Sequence, residues 1–372
     1  MNLPLPCPDI EFRGTGNCRL SEIRTTYRAL VRWQVSKIGI AIGVLVLFVG
    51  VAASLGVKNA SVAHVFRIVL DQLTSVQLFP DIPKLDRSII LHLRLPRIAL
   101  GAVGGAALAI AGVVMQGIMR NPLVSPFTIG ISPAAGFGAS VAVLLGLDLA
   151  TGGSYWVVLF AFISALICAA MVLAIAGIRG AQSTTLILAG IALTYLFGAL
   201  TNTTQFIATE EQLTVIVHWT FGTLNESSWD EVLIILAMLT ITLPFLFRYA
   251  WCYNALNQGE EVAASLGYAI SRVRVITVVL AVLLTASVVS FTGVIGFVGL
   301  VAPHIARFII GNDHRYLIPF AAVIGALLLV AADTIGRTLL SPVIIPVGIV
   351  VAYIGVPMFV HLILRRKQDY FS

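Results

Sequence analysis

Few of the 372 residues could do chemistry, and their spacing narrows what that chemistry is. Asp333 and Arg337 stand four residues apart in an apolar run, one helical turn, so they can pair with each other. His304 and Arg307 follow Pro303 in a second apolar run, where ionisable groups are costly. No Cys, His or carboxylate stands three or four residues after His304, so it has no metal-binding partner at helical spacing. There is no H-E-x-x-H and no evident Ser, His and acid set, which argues against an intramembrane enzyme. There is also no G-x-x-x-x-G-K-[ST], so a nucleotide that powers this chain must bind another subunit. Cys7, Cys18, Cys168 and Cys252 lack metal-ligand spacing and read as reduced structural thiols. No cofactor is expected.

These groups are carried by a membrane protein. The sequence is 59% hydrophobic and 11% charged, where soluble domains carry about 25% charged residues. The fold class is an all-α integral membrane protein in one domain of about ten helices. The expected spans are 37–56, 95–119, 127–147, 155–177, 184–206, 230–247, 273–291, 295–311, 317–340 and 343–364. The eighth is short, and its separation from the seventh rests on Gly293 and Gly296. The alternation of a membrane β-barrel is absent. Helix 2 is dense in Gly101, Gly104, Gly105, Ala106, Ala109 and Gly112, small residues that let membrane helices approach closely.

Charge sets the orientation. Arg120, Arg179, Arg248, Arg272, Arg274, Arg315 and Arg365-Arg366-Lys367 fall on one side in this scheme, with the N-terminal tail. The stretch 207–247 has no Lys or Arg but holds Glu210, Glu211, Glu226, Asp230 and Glu231. The positive-inside rule then puts both termini in the cytoplasm of a cell whose plasma membrane the chain spans. The loop 57–93, with Lys58, Arg67, Lys84 and Arg87, becomes an external segment of mixed charge. Residues 1–36 form a cytoplasmic tail rather than a signal peptide, with Pro4, Pro6 and Pro8 and no apolar core. Arg24, Arg28 and Arg32 fit a solvated positive tail or one helix face at lipid headgroups. Residues 37–367 form the membrane domain and 368–372 a C-terminal tail. The net charge of +6 belongs to topology and not to nucleic acid.

Two segments carry a resemblance. LRLPRIALGAVGGAALAIAGVVMQGIMRNPLVSPFTIG (93–130) and GVIGFVGLVAPHIARFIIGNDHR (293–315) resemble the permease subunit of ATP-driven importers for ferric siderophores, haem and cobalamin. The likeness spans roughly residues 37–367. It implies partners: an ATP-binding subunit, an external substrate-binding protein, and a second permease, identical or similar. It implies transport of a ferric siderophore, with haem and cobalamin as alternatives. In the resembled family the cytoplasmic loop, here 248–274, docks into the ATPase. The matching residues are Asn254, Leu256, Gly259, Glu260, Glu261, Ala264, Leu266 and Gly267. The loop also has a helical pattern of its own, with Val262 and Leu266 on one face and acids in the first turn, where the helix dipole favours them.

The resemblance further implies that Arg94, Arg97 and Arg337 meet carboxylates of the binding protein at the outer mouth. Internal pairing, such as Arg337 with Asp333, is the other reading. A hydroxyl pair between helices 4 and 5 gates the pathway in the family, and Ser183 and Thr184, with Thr185 beside them, match. Either could instead cap the following helix. Thr194, Thr201, Asn202, Thr203, Thr204 and Gln205 on helix 5 should face the interior. His304 is expected at the helix start, facing the ATPase. One departure stands out: Ile344-Ile345-Pro346-Val347-Gly348 replaces a Glu-Leu-Pro-Val-Gly pattern, so Ile344 stands where the family has an acid. An ion-coupled secondary transporter is the rival reading, with Asp333 and His304 its only candidates for coupling ions.

Overall fold

The computed structural model describes residues 16–55, 61–74, 79, 81–147, 155–178, 180, 182–225 and 227–365. Cys7, Lys58, Arg179, Glu226 and residues 366–372, named above, lie outside them, as do the tail prolines and the side chains of Cys18 and Arg365. The described elements are α-helices α1 (Gly16–Ser54), α2 (Val62–Thr74), α3 (Lys84–Ser88), α4 (Leu95–Met119), α5 (Ile131–Leu144), α6 (Tyr155–Gly177) and α7 (Ser183–Ile207). They continue with α8 (Glu210–Thr220), α9 (Trp229–Arg248), α10 (Ala250–Leu256), α11 (Glu260–Ser265), α12 (Ile270–Thr292), α13 (Val298–Ile310), α14 (His314–Thr338) and α15 (Val347–Arg365). Among the described residues, seven runs are long and apolar enough to cross a membrane. Three shorter apolar helices, Ile131–Leu144, Val298–Ile310 and Val347–Val360, complete the ten expected segments.

Several boundaries move, each for a local reason. The first helix runs back to Gly16, because residues 17–38 contain no Gly or Pro to stop it. At 39 residues it is about 58 Å long, nearly twice a bilayer core of about 30 Å. The segment 57–93 is more than a loop. It contains α2, and a buried Asp71 carboxylate bonded to Arg87 at 2.6 Å ties α2 to α3. A π-helical stretch, Ile89–Arg94, joins α3 to α4. Pro96 enters at the first turn of α4, where a missing N–H costs little. The third span starts late: a 3₁₀ turn at Pro126–Ile129 and Gly130 at φ 86° precede α5. The break between the seventh and eighth spans appears where expected, with α12 ending at Thr292 and α13 opening at Val298.

The helices alternate between two faces. Gln34 donates to the Ile310 carbonyl at 3.5 Å, and Lys37 to that of Ile309 at 2.6 Å. These bonds put the middle of α1 with the end of α13 and the start of α14, on what is here named the near face. At the opposite, far face the last carbonyls of α1 meet Arg94 and Arg337. Arg120, Arg248, Arg272, Arg274 and Arg315 all gather on the near face by these directions.

The central axis is α4, buried without a break from Ala107 to Met119. Its glycines permit this. A Cβ at Gly105 would collide with the Gly325 carbonyl of α14, and one at Gly112 would fall inside the Gly299 carbonyl of α13. The non-helical segment after α8 bonds two helix ends toward the far side, with Thr223 N–H on the Thr292 carbonyl that closes α12 at 2.7 Å and Gly348 N–H, at the start of α15, on the Gly222 carbonyl at 3.3 Å. Irregular backbone at such depth is tolerated where protein buries it.

Candidate functional site

The 248–274 segment folds as two short helices between the crossing helices α9 and α12. Its two halves differ. Tyr253 and Leu256 on α10 are wholly buried. The Tyr253 hydroxyl bonds the Thr277 hydroxyl of α12 at 2.8 Å, and burial raises the Tyr253 pKa. Cys252 is also buried, which raises its thiol pKa to about 11 and leaves it an inert, structural group. The Asn254 amide is turned inward. It donates to Asp313 Oδ1 at 2.8 Å and accepts from the His314 backbone N–H at 2.8 Å, with His314 Nδ1 at 2.9 Å. Neither Leu256 nor the Asn254 amide therefore presents a contact group outward.

The second half faces out. Leu266, the C-cap of α11, is 64% exposed and Val262, four residues before it on α11, 42%, with Glu261 and Ala264 exposed beside them. Gly259 (φ 131°) and Gly267 (φ 87°) bound the helix in conformations that favour glycine. Glu260 is not free for a partner in the way its position suggests, because it accepts from the buried Arg274 at 2.7 Å. That pair holds α11 to α12.

At the far face the three arginines come together. Arg97 grips Asp333 through two nitrogens, with Nε to Oδ1 at 2.9 Å and Nη2 to Oδ1 at 2.7 Å. Asp333 is buried, and Arg337 approaches its other oxygen at 3.6 Å. Arg94 donates to the carbonyls of Ala53 and Ser54 at 2.9 and 3.4 Å, and Arg337 to those of Leu55, at 2.9 Å, and Ala52. The last carbonyls of a helix have no partner within it, and the dipole there favours cations. Arg94 and Arg337 supply both for α1, which has no basic residue in its own last turn. That absence was the readable signal for this role. Asp333 thus pairs with Arg337 and with a neighbouring helix at once.

The hydroxyl pair lies at the near-face start of α7. Gln182 occupies the cap position, and no side chain caps the helix, so Ser183 and Thr184 do not serve as its caps. Thr184 is exposed and Ser183 half-buried. One turn on, a cavity of about 420 Å³ opens between Asn121, Phe127, Thr128, Ile187, Thr194 and Tyr195. On α7 the hydroxyls of Thr194, Thr201, Thr203 and Thr204 bond backbone carbonyls of the previous turn. Thr204 is buried, while Asn202 and Thr203 are exposed rather than interior. His304 sits inside α13, not at its start, with Nδ1 2.9 Å from the Leu300 carbonyl and its ring against Phe359. Among the described residues no His, Cys, Asp or Glu cluster could hold a metal. Ile344 is 41% exposed in the turn before α15.

A core of glycine-packed helices long and apolar enough to cross a membrane, irregular breaks shielded by protein, and a structured pair of short helices between two of the long ones describe a polytopic membrane protein. The FecCD transport family matches residues 44–365, and the chain belongs to that family, a class of ABC importer permeases. It is 41% identical over 288 residues to the permease protein of the cobalamin import system of Halobacterium salinarum, covering 77% of this chain and 76% of that one. It is 36% identical over 282 residues to the hemin transport system permease protein of Yersinia pestis, covering 76% and 84%. A solved structure described as an inward-facing conformation of a metal-chelate type ABC transporter superposes with a TM-score of 0.77. It has 30% identity and covers 89% of this chain and 99% of that one.

Proposed function

We propose that this chain is the membrane subunit of a binding-protein-dependent importer that carries a metal chelate, a ferric siderophore first, across the cytoplasmic membrane. Haem and cobalamin chelates are the alternatives. The near face is cytoplasmic, with both termini. An ATP-binding subunit seats on α11, and its ATP-driven closure moves the permease. A binding protein delivers the chelate at the far face. Two permeases, identical or similar, enclose the path, which Ser183 and Thr184 narrow on the cytoplasmic side. Arg94, Arg97 and Arg337 frame the mouth where the binding protein lands.

The observation that carries the reading is the exposed apolar pair Val262 and Leu266 on a short helix pinned between two crossing helices. Two large apolar side chains in a polar loop suit a helix-in-groove contact. The arrangement serves an ion-coupled exchanger poorly, because Asp333 lies between Arg97 and Arg337 and its charge is already balanced. Leu266→Asp tests the reading. It should release the ATPase during detergent purification and abolish uptake in vesicles, while membrane insertion persists. Undiminished co-purification and uptake would sink it.

A further inference from the structure

The importer reading leaves open how motion at α11 reaches the far mouth about 30 Å away. Helix α14 is joined by polar bonds at both of its ends. At the near end Asp313 caps it, accepting the Arg315 N–H at 3.1 Å. A second cap comes from another element: Asn254 of α10 accepts the His314 N–H at 2.8 Å and donates to Asp313 at 2.8 Å. The first helix of the coupling segment, which leads into α11, is thereby bonded to the first residues of α14. The His314 ring, buried and packed on Tyr253 with centroids 5.4 Å apart, lies against Gly117 at the foot of α4.

At the far end Asp333 binds Arg97 of α4, and Arg337 holds the last carbonyls of α1. Between Asp313 and Asp333 the helix rises about 30 Å at 1.5 Å per residue. Gly105 and Gly325 seat it directly on α4, backbone against backbone. A helix closely packed along its length moves as one body more readily than it bends. Pro319 lies in its second turn, near the coupled end, and the remainder has no proline. Among the described residues, the Gln116 amide and His314 Nε2 are buried at this near-end joint without a protein partner. Buried polar groups of that kind are rare in a settled arrangement, and they fit a joint that changes partners between states.

We propose that α14, with α4, is the strut that carries ATPase motion from the coupling segment to the outer mouth, and that Asn254 is its positioning residue. This rests on the importer reading. Asn254 acts through α14; it need not touch the ATPase. Arg94, Arg97 and Arg337 are in turn the far end of the strut, moving the end of α1 as α14 shifts.

The test uses the full complex with its ATPase, in lipid discs, without binding protein. Cys7 and Cys18 are replaced by serine, and Cys168 and Cys252 are buried. Spin labels go on cysteines at Leu339, beyond the far end of α14, and at Leu145, beyond α5, 67% and 62% exposed. Both belong to one chain, and where the second permease is identical the labelled chain is diluted with unlabelled chain so that only the within-chain distance is read. ATP with vanadate should shift this distance in the unsubstituted complex. Asn254→Ala should retain the ATPase and lose at least two-thirds of the shift. Tyr253→Phe loosens α10 from α12 but leaves the bonds to α14, so it should keep the shift. His314→Phe fills the same space and keeps the backbone bond but lacks the Nδ1 contact, and it repeats the test should Asn254→Ala fail to fold; it should lose part of the shift. A full shift in Asn254→Ala or His314→Phe overturns the proposal, as does equal loss in Tyr253→Phe. Release of the ATPase by Asn254→Ala also overturns it, by making Asn254 a docking residue. If the unsubstituted complex holds no ATPase, the importer reading fails and this inference goes with it.

Discussion

Helices α4 and α7 are each 25 residues long and apolar, yet they occupy opposite places in the molecule. In the run that contains α4, 78% of the most apolar window is buried; in α7 the share is 28%. Hydropathy does not explain this, since both qualify as crossing helices. Backbone access does. Gly105 and Gly112 of α4 each abut a carbonyl of another helix along its length, whereas α7 has one such approach, Gly190 on the Thr128–Ile129 turn, and nothing lies within 4 Å of a Cβ built at Gly198. The outward side of α7 has its own order. Leu188, Ala192, Tyr195, Ala199, Asn202 and Phe206 are exposed, at alternating steps of four and three, and so share one helix face. Asn202 on that face would be costly against lipid. A face of this composition suits a second permease and a wetted path, while α4 suits a rigid axis that moves only as one body with the helices packed on it.

The largest expected effect exploits this contrast with one substitution made in both helices. Gly112→Ala puts a methyl group inside the Gly299 carbonyl and forces α4 and α13 apart. The cost should exceed about 4 kcal/mol, the exceptional end for single changes, against a total stability of about 5–15 kcal/mol. Gly198→Ala meets nothing and should stabilise the helix by up to about 1 kcal/mol. Thermal unfolding of the two variants in the same detergent checks this. Similar melting shifts would mean that α4 is no more an axis than α7.

Much of this architecture was legible. Ten apolar segments and the break at Gly293 could be read because a membrane permits few alternatives to a helix of sufficient length. The close packing of helix 2 could be read from Gly101, Gly104, Gly105 and Gly112, since small residues at helical spacing have few other uses in a membrane. Long-range polar partners could not. Nothing local tells that Arg94 bonds the carbonyl of Ala53, 41 residues earlier, or that Asn254 reaches Asp313 across 59 residues. Periodicity reports which face is apolar and is silent on which distant backbone lacks a donor. Leu256 illustrates the same limit. In the sequence it sits in a polar loop beside Leu266; in the fold one is wholly buried and the other exposed. Asn202 and Thr203 misled for a different reason. Polar groups in a membrane helix must avoid lipid, but a single chain cannot say whether its own core or a second subunit shields them.

The two ends of α14 sharpen the comparison between fixed and mobile parts. Asp333 is buried between Arg97 and Arg337, and Asp333→Asn removes the charge while keeping the shape. Leaving Arg97 and Arg337 uncompensated in a buried site should cost about 3 kcal/mol, the low end for a broken buried pair. Arg97→Met with Asp333→Asn should recover part of that loss, because replacing both partners removes the orphaned charge. Melting temperatures of the singles and the double decide it. Strict additivity would show that the contact contributes nothing beyond two separate side chains.

The smallest effect belongs to the near end, where Asp313 is partly open to solvent. Burial raises its pKa, but the bonds from Arg315 and Asn254 outweigh that and hold it below its ordinary value. A carboxyl whose pKa is depressed by folding adds stability that is fully present above its unfolded pKa of about 3.9. That contribution disappears as pH falls through the lower folded value. Asp313→Asn deletes it at every pH. Unfolding of the two proteins should therefore differ most at pH 6–7, where the natural chain is the more stable. The gap should narrow once pH falls below about 4. Because the group is partly open to solvent, the gap should also shrink as salt rises and screening shortens the reach of its charge. Tryptophan fluorescence in a pH series read at two salt concentrations measures this. A gap that stays constant from pH 7 to pH 3 would mean that Asp313 acts only as a hydrogen-bonding cap, through shape and not charge, and that its bond to Asn254 does not depend on ionisation.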